Sequence, residues 1–146
     1  MPSPAATFDM IVRIDGASRG NPGPAAYAVV VENDDGTPRE SFFRTLGKTT
    51  NNVAEYEGLL AALEYALHQG ARRLKVISDS ELLVRQIQGR YKVKNEGLKP
   101  LVERARALIA RLHSFSIEHV RRERNSEADR LANQALDSAE MNGVNQ

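Results

Sequence analysis

Residues 26–46 read AYAVVVENDDGTPRESFFRTL, and the parsing of this stretch decides the fold. Ala26 to Val31 is a short apolar run rich in β-branched residues, which suits a buried strand better than a helix. Asn33-Asp34-Asp35-Gly36 then supplies a turn, because Asn and Asp side chains bond nearby backbone and Gly accepts a positive φ. Arg39 to Leu46 returns as a further strand. Upstream, Phe8 to Ile14 alternates and ends on Asp15, after which Gly16, Gly20, Asn21, Pro22 and Gly23 break the pattern. Connections this short leave no room for helical crossovers, so the three strands are expected to form an antiparallel meander.

Downstream the period changes. Val53, Tyr56, Leu60, Leu63 and Leu67 recur at helical spacing, and Gly70 is placed to end that helix. Leu74 to Ser78 reads as a short strand ending at Asp79, and Ser80 to Gln88 as a helix. Leu98, Leu101, Val102, Ala105, Leu108, Ile109 and Leu112 trace another apolar stripe, with Pro100 tolerated in its first turn. Phe115 to Val120 is a fifth strand. A last helix is expected from about Ser126 to Ala139, capped by Asn125 or Ser126. The order β-β-β-α-β-α-α-β-α implies an α/β fold, a five-stranded mixed sheet with helices flanking it. The chain of 146 residues reads as one domain, 1–146, with 1–6 and 138–146 expected to be flexible tails.

Composition excludes several classes. No run approaches the roughly 18 apolar residues of a membrane span. Met1 to Thr7 lacks the charged-then-apolar pattern of a secretion signal, so a cytoplasmic location and no membrane partner are expected. Without cysteine there is neither a disulfide framework nor a thiolate metal site. A net charge of +1 hides an asymmetry: residues 71–124 hold fourteen Lys or Arg against six Asp or Glu. Such a split suits one surface that attracts a polyanion and another that gathers carboxylates, although basic and acidic side chains also decorate solvated surfaces.

Four carboxylates stand out by position. Asp15 and Asp79 lie where strands give way to loops, which is where ligand sites form in open α/β sheets. Glu55 and Asp129 lie near the starts of their helices, to one side of each apolar stripe. Each has an ordinary structural explanation as a turn residue or as an acid favoured by the helix dipole. Their contexts are less ordinary. DGASRGNPG at 15–23, TTNNVAEY at 49–56, ISDS at 77–80 and NSEADRLA at 125–132 occur in this order on these elements.

Together these four strings resemble ribonuclease H of type 1 over roughly residues 8–136. The resemblance implies a ribonuclease H-like fold in which Asp15, Glu55, Asp79 and Asp129 converge as catalytic and metal-holding groups. It implies two Mg²⁺ ions, with Mn²⁺ as a substitute, flanking the scissile phosphate of the RNA strand in an RNA–DNA hybrid. Asp15 would bridge both ions, Asp129 would serve the ion beside the attacking water, and Glu55 with Asp79 the ion beside the leaving oxygen. Products would carry a 5′-phosphate and a 3′-hydroxyl. The substrate contacts implied are Ser18, Gly20 and Asn21 at the ribose, Asn51 and Asn52 in the minor groove, and Thr50 at a DNA phosphate. The structural alternative is that Asn51 or Asn52 only caps the helix and that Gly20 and Gly23 only build the turn.

The chain departs from the family pattern twice. Gly89 to Lys99 is short and holds Arg90, Lys92, Lys94 and Lys99 without tryptophan, which resembles the compact subgroup lacking a basic protrusion. Weaker and more salt-sensitive hybrid binding is expected. Well-studied members also carry a histidine in the loop before the last carboxylate, where this chain reads VRRERN at 120–125. Arg122 or Arg124 can handle phosphate charge there but not act as a base. His119 falls inside the fifth strand and is read as structural, and His68 and His113 as surface residues. The alternatives are a hybrid-binding module that cuts nothing and a related nuclease for double-stranded RNA. No exposed aromatic patch marks an obligate partner, so a monomer is expected.

Overall fold

The computed structural model describes residues 8–144, and the expected tail at 1–6 lies outside them. Strand β1 (Met10–Ser18) pairs antiparallel with β2 (Gly23–Glu32), which pairs antiparallel with β3 (Pro38–Thr49). Helix α1 (Asn51–His68) leads to β4 (Arg73–Ser78), which lies parallel to β1. Helices α2 (Glu81–Ile87) and α3 (Lys99–Ile109) precede β5 (Ser114–His119), parallel to β4. A 3₁₀ turn at Arg122–Arg124 enters helix α4 (Ser126–Val144). The sheet order is β3-β2-β1-β4-β5, the expected mixed sheet.

The apolar run that opened the analysis is buried on both faces. Tyr27, Val29 and Val31 join Met10, Val12 and Ile14 of β1 in the main core, against Leu59, Leu60 and Leu63 of α1. Ala28 and Val30 face the other way, under Ala128, Leu131 and Ala132 of α4, and Ala26 meets Ala135 and Leu136. Alanine stands on both sides of this second contact, so α4 can lie close on β2. Enlarging Ala28 to Leu would overpack it at a cost of roughly 1–3 kcal/mol.

Three expectations are corrected. The buried surface of α1 is broader than the stripe, including Ala54, Leu59, Ala62 and Ala66, because α1 is enclosed between the sheet and α3. Val53 and Leu67 on that stripe are only half-buried. β1 does not stop at Ile14 but continues to Ser18, since Asp15 to Ser18 pair with Ala28 to Ala25. Helix α4 continues to Val144, past the end expected at Ala139. Among the described residues, no helix is long and apolar enough to cross a membrane.

Candidate active site

Register places the first two carboxylates together. Ile14 lies opposite Ser78 in the parallel ladder, so Asp15 and Asp79 follow it side by side where β4 ends. Asp15 stays in β1, held on its other side opposite Ala28. Gly16 brings in the third. A Cβ on Gly16 would lie 2.3 Å from the Glu55 backbone nitrogen, so only glycine lets α1 begin this close to β1. The fourth arrives with α4, where Ala128 packs on the Ala28 that faces Asp15, and Asp129 follows it.

Burial and mutual repulsion then govern the charges. Asp15 is only 7% exposed, and its pKa is pushed up to about 8, first by burial and then by Asp79, Asp129 and Glu55. Its carboxyl shares hydrogen bonds with those of Asp129 and Asp79. Burial raises Glu55 to about 7, although a hydrogen bond with Ser80 and the charge of Arg122 oppose the shift. Asp79 is raised for the same first reason, with Arg122 again opposing. Close carboxyls cannot all ionise without a compensating cation.

Beside the acids lies a network built from the 15–23 and 49–56 strings. The Ser18 backbone N–H and hydroxyl both donate to Asn51 Oδ1, at 2.7 and 3.1 Å. The Asn51 backbone N–H donates to Asn21 Oδ1 at 3.0 Å. Gly20 has φ +100°, the left-handed region that lets the loop turn here. The cap of α1 is Thr50, whose hydroxyl accepts from the Val53 N–H. Asn51 and Asn52 are therefore not the side-chain cap, and Thr50 does carry a structural duty. Asn52 is half-buried in the first turn of α1. Arg122 and Arg124 are exposed on the 3₁₀ turn, and Arg124 lines a groove of about 560 Å³ with His119, Arg121 and Glu123. His68 and His113 are exposed.

Comparison with known proteins shows the family. A family model described as reverse transcriptase-like matches residues 13–135. The bifunctional protein Rv2228c of Mycobacterium tuberculosis is 47% identical over 131 residues, which are 89% of this chain and 36% of that protein. Its N-terminal ribonuclease H domain, solved as a fusion with maltose-binding protein, superposes with a TM-score of 0.88 at 44% identity, covering 93% of this chain and 99% of that one. Ribonuclease HI of Halobacterium salinarum is 44% identical over 86% of this chain and 63% of its own length. LC11-RNase H1, isolated from compost by a metagenomic approach and solved with an RNA/DNA hybrid, has a TM-score of 0.85 at 40% identity, covering 89% and 98%. The chain belongs to the ribonuclease H type 1 family. It spans about a third of the mycobacterial relative's length and under two thirds of the halobacterial one's.

For a ribonuclease H site, the donor set fits hard divalent cations. All four groups offer carboxyl oxygens, the donors Mg²⁺ and Mn²⁺ prefer. Asp79 Oδ2 is enclosed with no hydrogen-bond partner. As they stand, the carboxyls bond one another, and among the described residues no three of them surround a common point at coordinating range.

Three contributors went unrecognised in the sequence. Ser80 bonds Glu55 and also caps α2, accepting from the Leu83 N–H at 3.2 Å. Ser78, 2% exposed, accepts from the Ser80 N–H at 3.0 Å. Asn125, one of the two expected caps of α4 with Ser126, instead donates its amide nitrogen to the Ile14 carbonyl at 2.8 Å. The serines stood in the ISDS string with no role attached. Nothing local in the sequence tells a capping Asn from one turned under the sheet.

Proposed function

We propose that this chain hydrolyses the RNA strand of RNA–DNA hybrids. The observation that carries the reading is the convergence of Asp15, Glu55, Asp79 and Asp129 from four separate elements, with Asp15 driven to about 8. A purely structural role gives no return for gathering four acids, Asp15 buried and the other three half-buried. The solved complex of LC11-RNase H1 with an RNA/DNA hybrid supports the choice of substrate.

In this reading water attacks phosphorus, the bond from phosphorus to the 3′ oxygen breaks, and the products keep a 5′-phosphate and a 3′-hydroxyl. Two divalent ions, Mg²⁺ or in its place Mn²⁺, supply charge stabilisation at the phosphate and a more acidic water. Asp15 would hold both, Asp129 the one on the attacking side, and Glu55 with Asp79 the one on the leaving side. Arg122, whose charge already reaches Glu55 and Asp79, draws the phosphate toward them. As an arginine it stays protonated and orients charge rather than accepting a proton.

Recognition falls to the neighbouring network. Asn51 Oδ1 is committed to Ser18, which leaves the amide's donor end to offer a 2′-hydroxyl or base edge, the features that mark RNA. Asn21, Gly20 and Asn52 complete that surface, and Thr50 and Arg124 meet phosphates beyond it. Exposed Arg90, Lys92 and Lys94 add salt-sensitive attraction. The proposal extends to a monomer acting in the cytoplasm.

The test is cleavage of a labelled hybrid with Mg²⁺, with Mn²⁺ and with EDTA, beside duplex RNA and duplex DNA. The expected outcome is metal-dependent cutting of the RNA strand of the hybrid alone, lost in Asp15→Asn. Binding without cutting by folded wild type would favour a binding module. Cutting of duplex RNA at hybrid-like rates would end strict hybrid specificity.

A further inference from the structure

Asn125 is the most deeply buried polar side chain at the acidic site, 1% exposed, and its bonds reach β1 and α4 at once. An amide nitrogen carries two protons. In Asn125 the nitrogen donates to the Ile14 carbonyl at 2.8 Å, immediately before Asp15, and the side chain lies beside the Asp79 carboxyl, whose charged form it favours. Its backbone carbonyl accepts from the Asp129 N–H at 3.1 Å, opening α4. Its backbone N–H donates to the Arg122 carbonyl at 2.9 Å. One residue therefore ties β1, the end of β4, the 3₁₀ turn and the start of α4.

The other end of the amide sharpens the point. Asn125 Oδ1 is enclosed without a donor, a cost that native structures tolerate only where something offsets it. An apolar residue would remove the cost, and a solvent-facing Asn or Ser would cap α4 as well. What an inward Asn alone provides is a donor held against the Ile14 carbonyl and Asp79 together.

We infer that Asn125 is a positioning residue, which sets the spacing of Asp15, Asp79 and Asp129 so that they can hold divalent cations. It touches neither substrate nor reacting atoms and acts through the carboxyls. The inference rests on the metal-site reading above. Groups that orient metal ligands from behind typically change metal affinity by about 10–100-fold when removed.

The experiment is Mn²⁺ binding by calorimetry on the full chain, wild type against Asn125→Ala and Asn125→Asp, with KM for the hybrid measured alongside. Asn125→Ala should bind Mn²⁺ at least about tenfold more weakly. KM should move little, because the Ser18–Asn51–Asn21 network is untouched. Asn125→Asp keeps the shape, loses the donor and adds a charge beside Asp79, so it should lower metal-free melting temperature more than Asn125→Ala does. Native-like Mn²⁺ affinity in folded Asn125→Ala, with only a lower melting temperature, would overturn the inference while leaving the site reading intact. Wild type that binds no Mn²⁺ would overturn both. A measurement on wild type alone covers variants that fail to fold. The Asn125 side-chain amide protons should exchange slowly with solvent and shift on Mg²⁺ addition. Fast exchange, or signals indifferent to Mg²⁺, would also overturn the inference.

Discussion

Two aspartates, one ahead of β1 and one within it, live in opposite circumstances. Asp9, just before β1, receives the backbone N–H groups of Arg72 and Arg73 at 2.9 and 3.0 Å and the Arg73 guanidinium at 2.9 Å. These donors hold its pKa below the usual carboxylate value. Asp15, six residues on, sits among three other carboxyls and is driven to about 8. The first is a carboxylate the fold satisfies, and the second is one whose charged form the fold opposes. Opposed shifts this close in sequence mark Asp15 rather than Asp9 as the candidate functional acid.

The largest expected effect comes from neutralising each in turn. Asp15→Asn should lower hybrid cleavage by roughly 10³-fold or more, because a central metal ligand, the role proposed for Asp15, contributes several kcal/mol to the transition state. Asp9→Asn should leave cleavage within about twofold and lower stability by about 1 kcal/mol, since its bonds are half exposed and screened. Steady-state kinetics beside denaturant melts decide it. Equal losses of activity in the two variants would erase the distinction.

Gly16→Ala comes next and probes how the acidic cluster is assembled. The added Cβ meets α1 backbone, so the start of α1 must move away from β1 and take Glu55 with it. Activity should fall about 100-fold, as misplacement of about 1 Å does in active sites. The Asp15 pKa, followed by carboxyl NMR, should fall toward the ordinary value as one repelling neighbour withdraws. An unchanged pKa would mean that burial by β2 and α4 alone sets it.

Stability against pH gives a third contrast, with opposite signs. Asp15 and Glu55 have folded pKa values raised above the unfolded ones, so the folded state binds more protons between about pH 4 and 8. Their contribution to stability therefore falls as pH rises through that window. Asp9 is depressed, so its contribution is present above the unfolded value and is lost as pH falls through the folded one. In EDTA, Asp15→Asn should stabilise the protein at pH 8 by roughly 2 kcal/mol and flatten the decline. With Mg²⁺ the wild type should recover most of that difference. Melting curves at pH 5 and 8, with and without Mg²⁺, read out both signs.

Much of this is legible in the sequence. The NDDG turn fixed the meander, and the turn forms as read, with the Gly36 N–H bonded to the Asn33 carbonyl at 2.9 Å. The helices followed from their periods. The four acids stand out by position but read as one site only through their strings, since no local pattern says that a strand-end Asp and a first-turn Glu will meet. What could not be read was orientation. The residues Asp15 to Ser18 look like loop because Gly and Ser are poor strand formers, yet pairing with Ala25 to Ala28 keeps them in the sheet. Asn125 looks like a cap because capping is a local interaction, whereas its bond to Ile14 spans 111 residues. Tertiary bonds of that reach leave no periodic trace.

A third aspartate marks the weak end of the comparison. Asp137 on α4 accepts from the Arg19 guanidinium at 2.7 Å, with its own side chain 66% exposed. Arg19 lies in the 15–23 string, between Ser18 and Gly20, and also reaches the Asn133 carbonyl. An exposed pair of this kind contributes about 0–1 kcal/mol, so Asp137→Ala should lower stability by less than about 1 kcal/mol. Its effect on function should be selective. Loosening Arg19 loosens the loop that carries Gly20 and Asn21, while the carboxyls of β1, β4 and α1 keep their bonds. KM for the hybrid should rise about two- to threefold at low salt with kcat unchanged, and the difference should shrink as salt screens the pair. A fall in kcat at constant KM would mean instead that α4 has shifted under Asp129, and that even this exposed acid takes part in aligning the site.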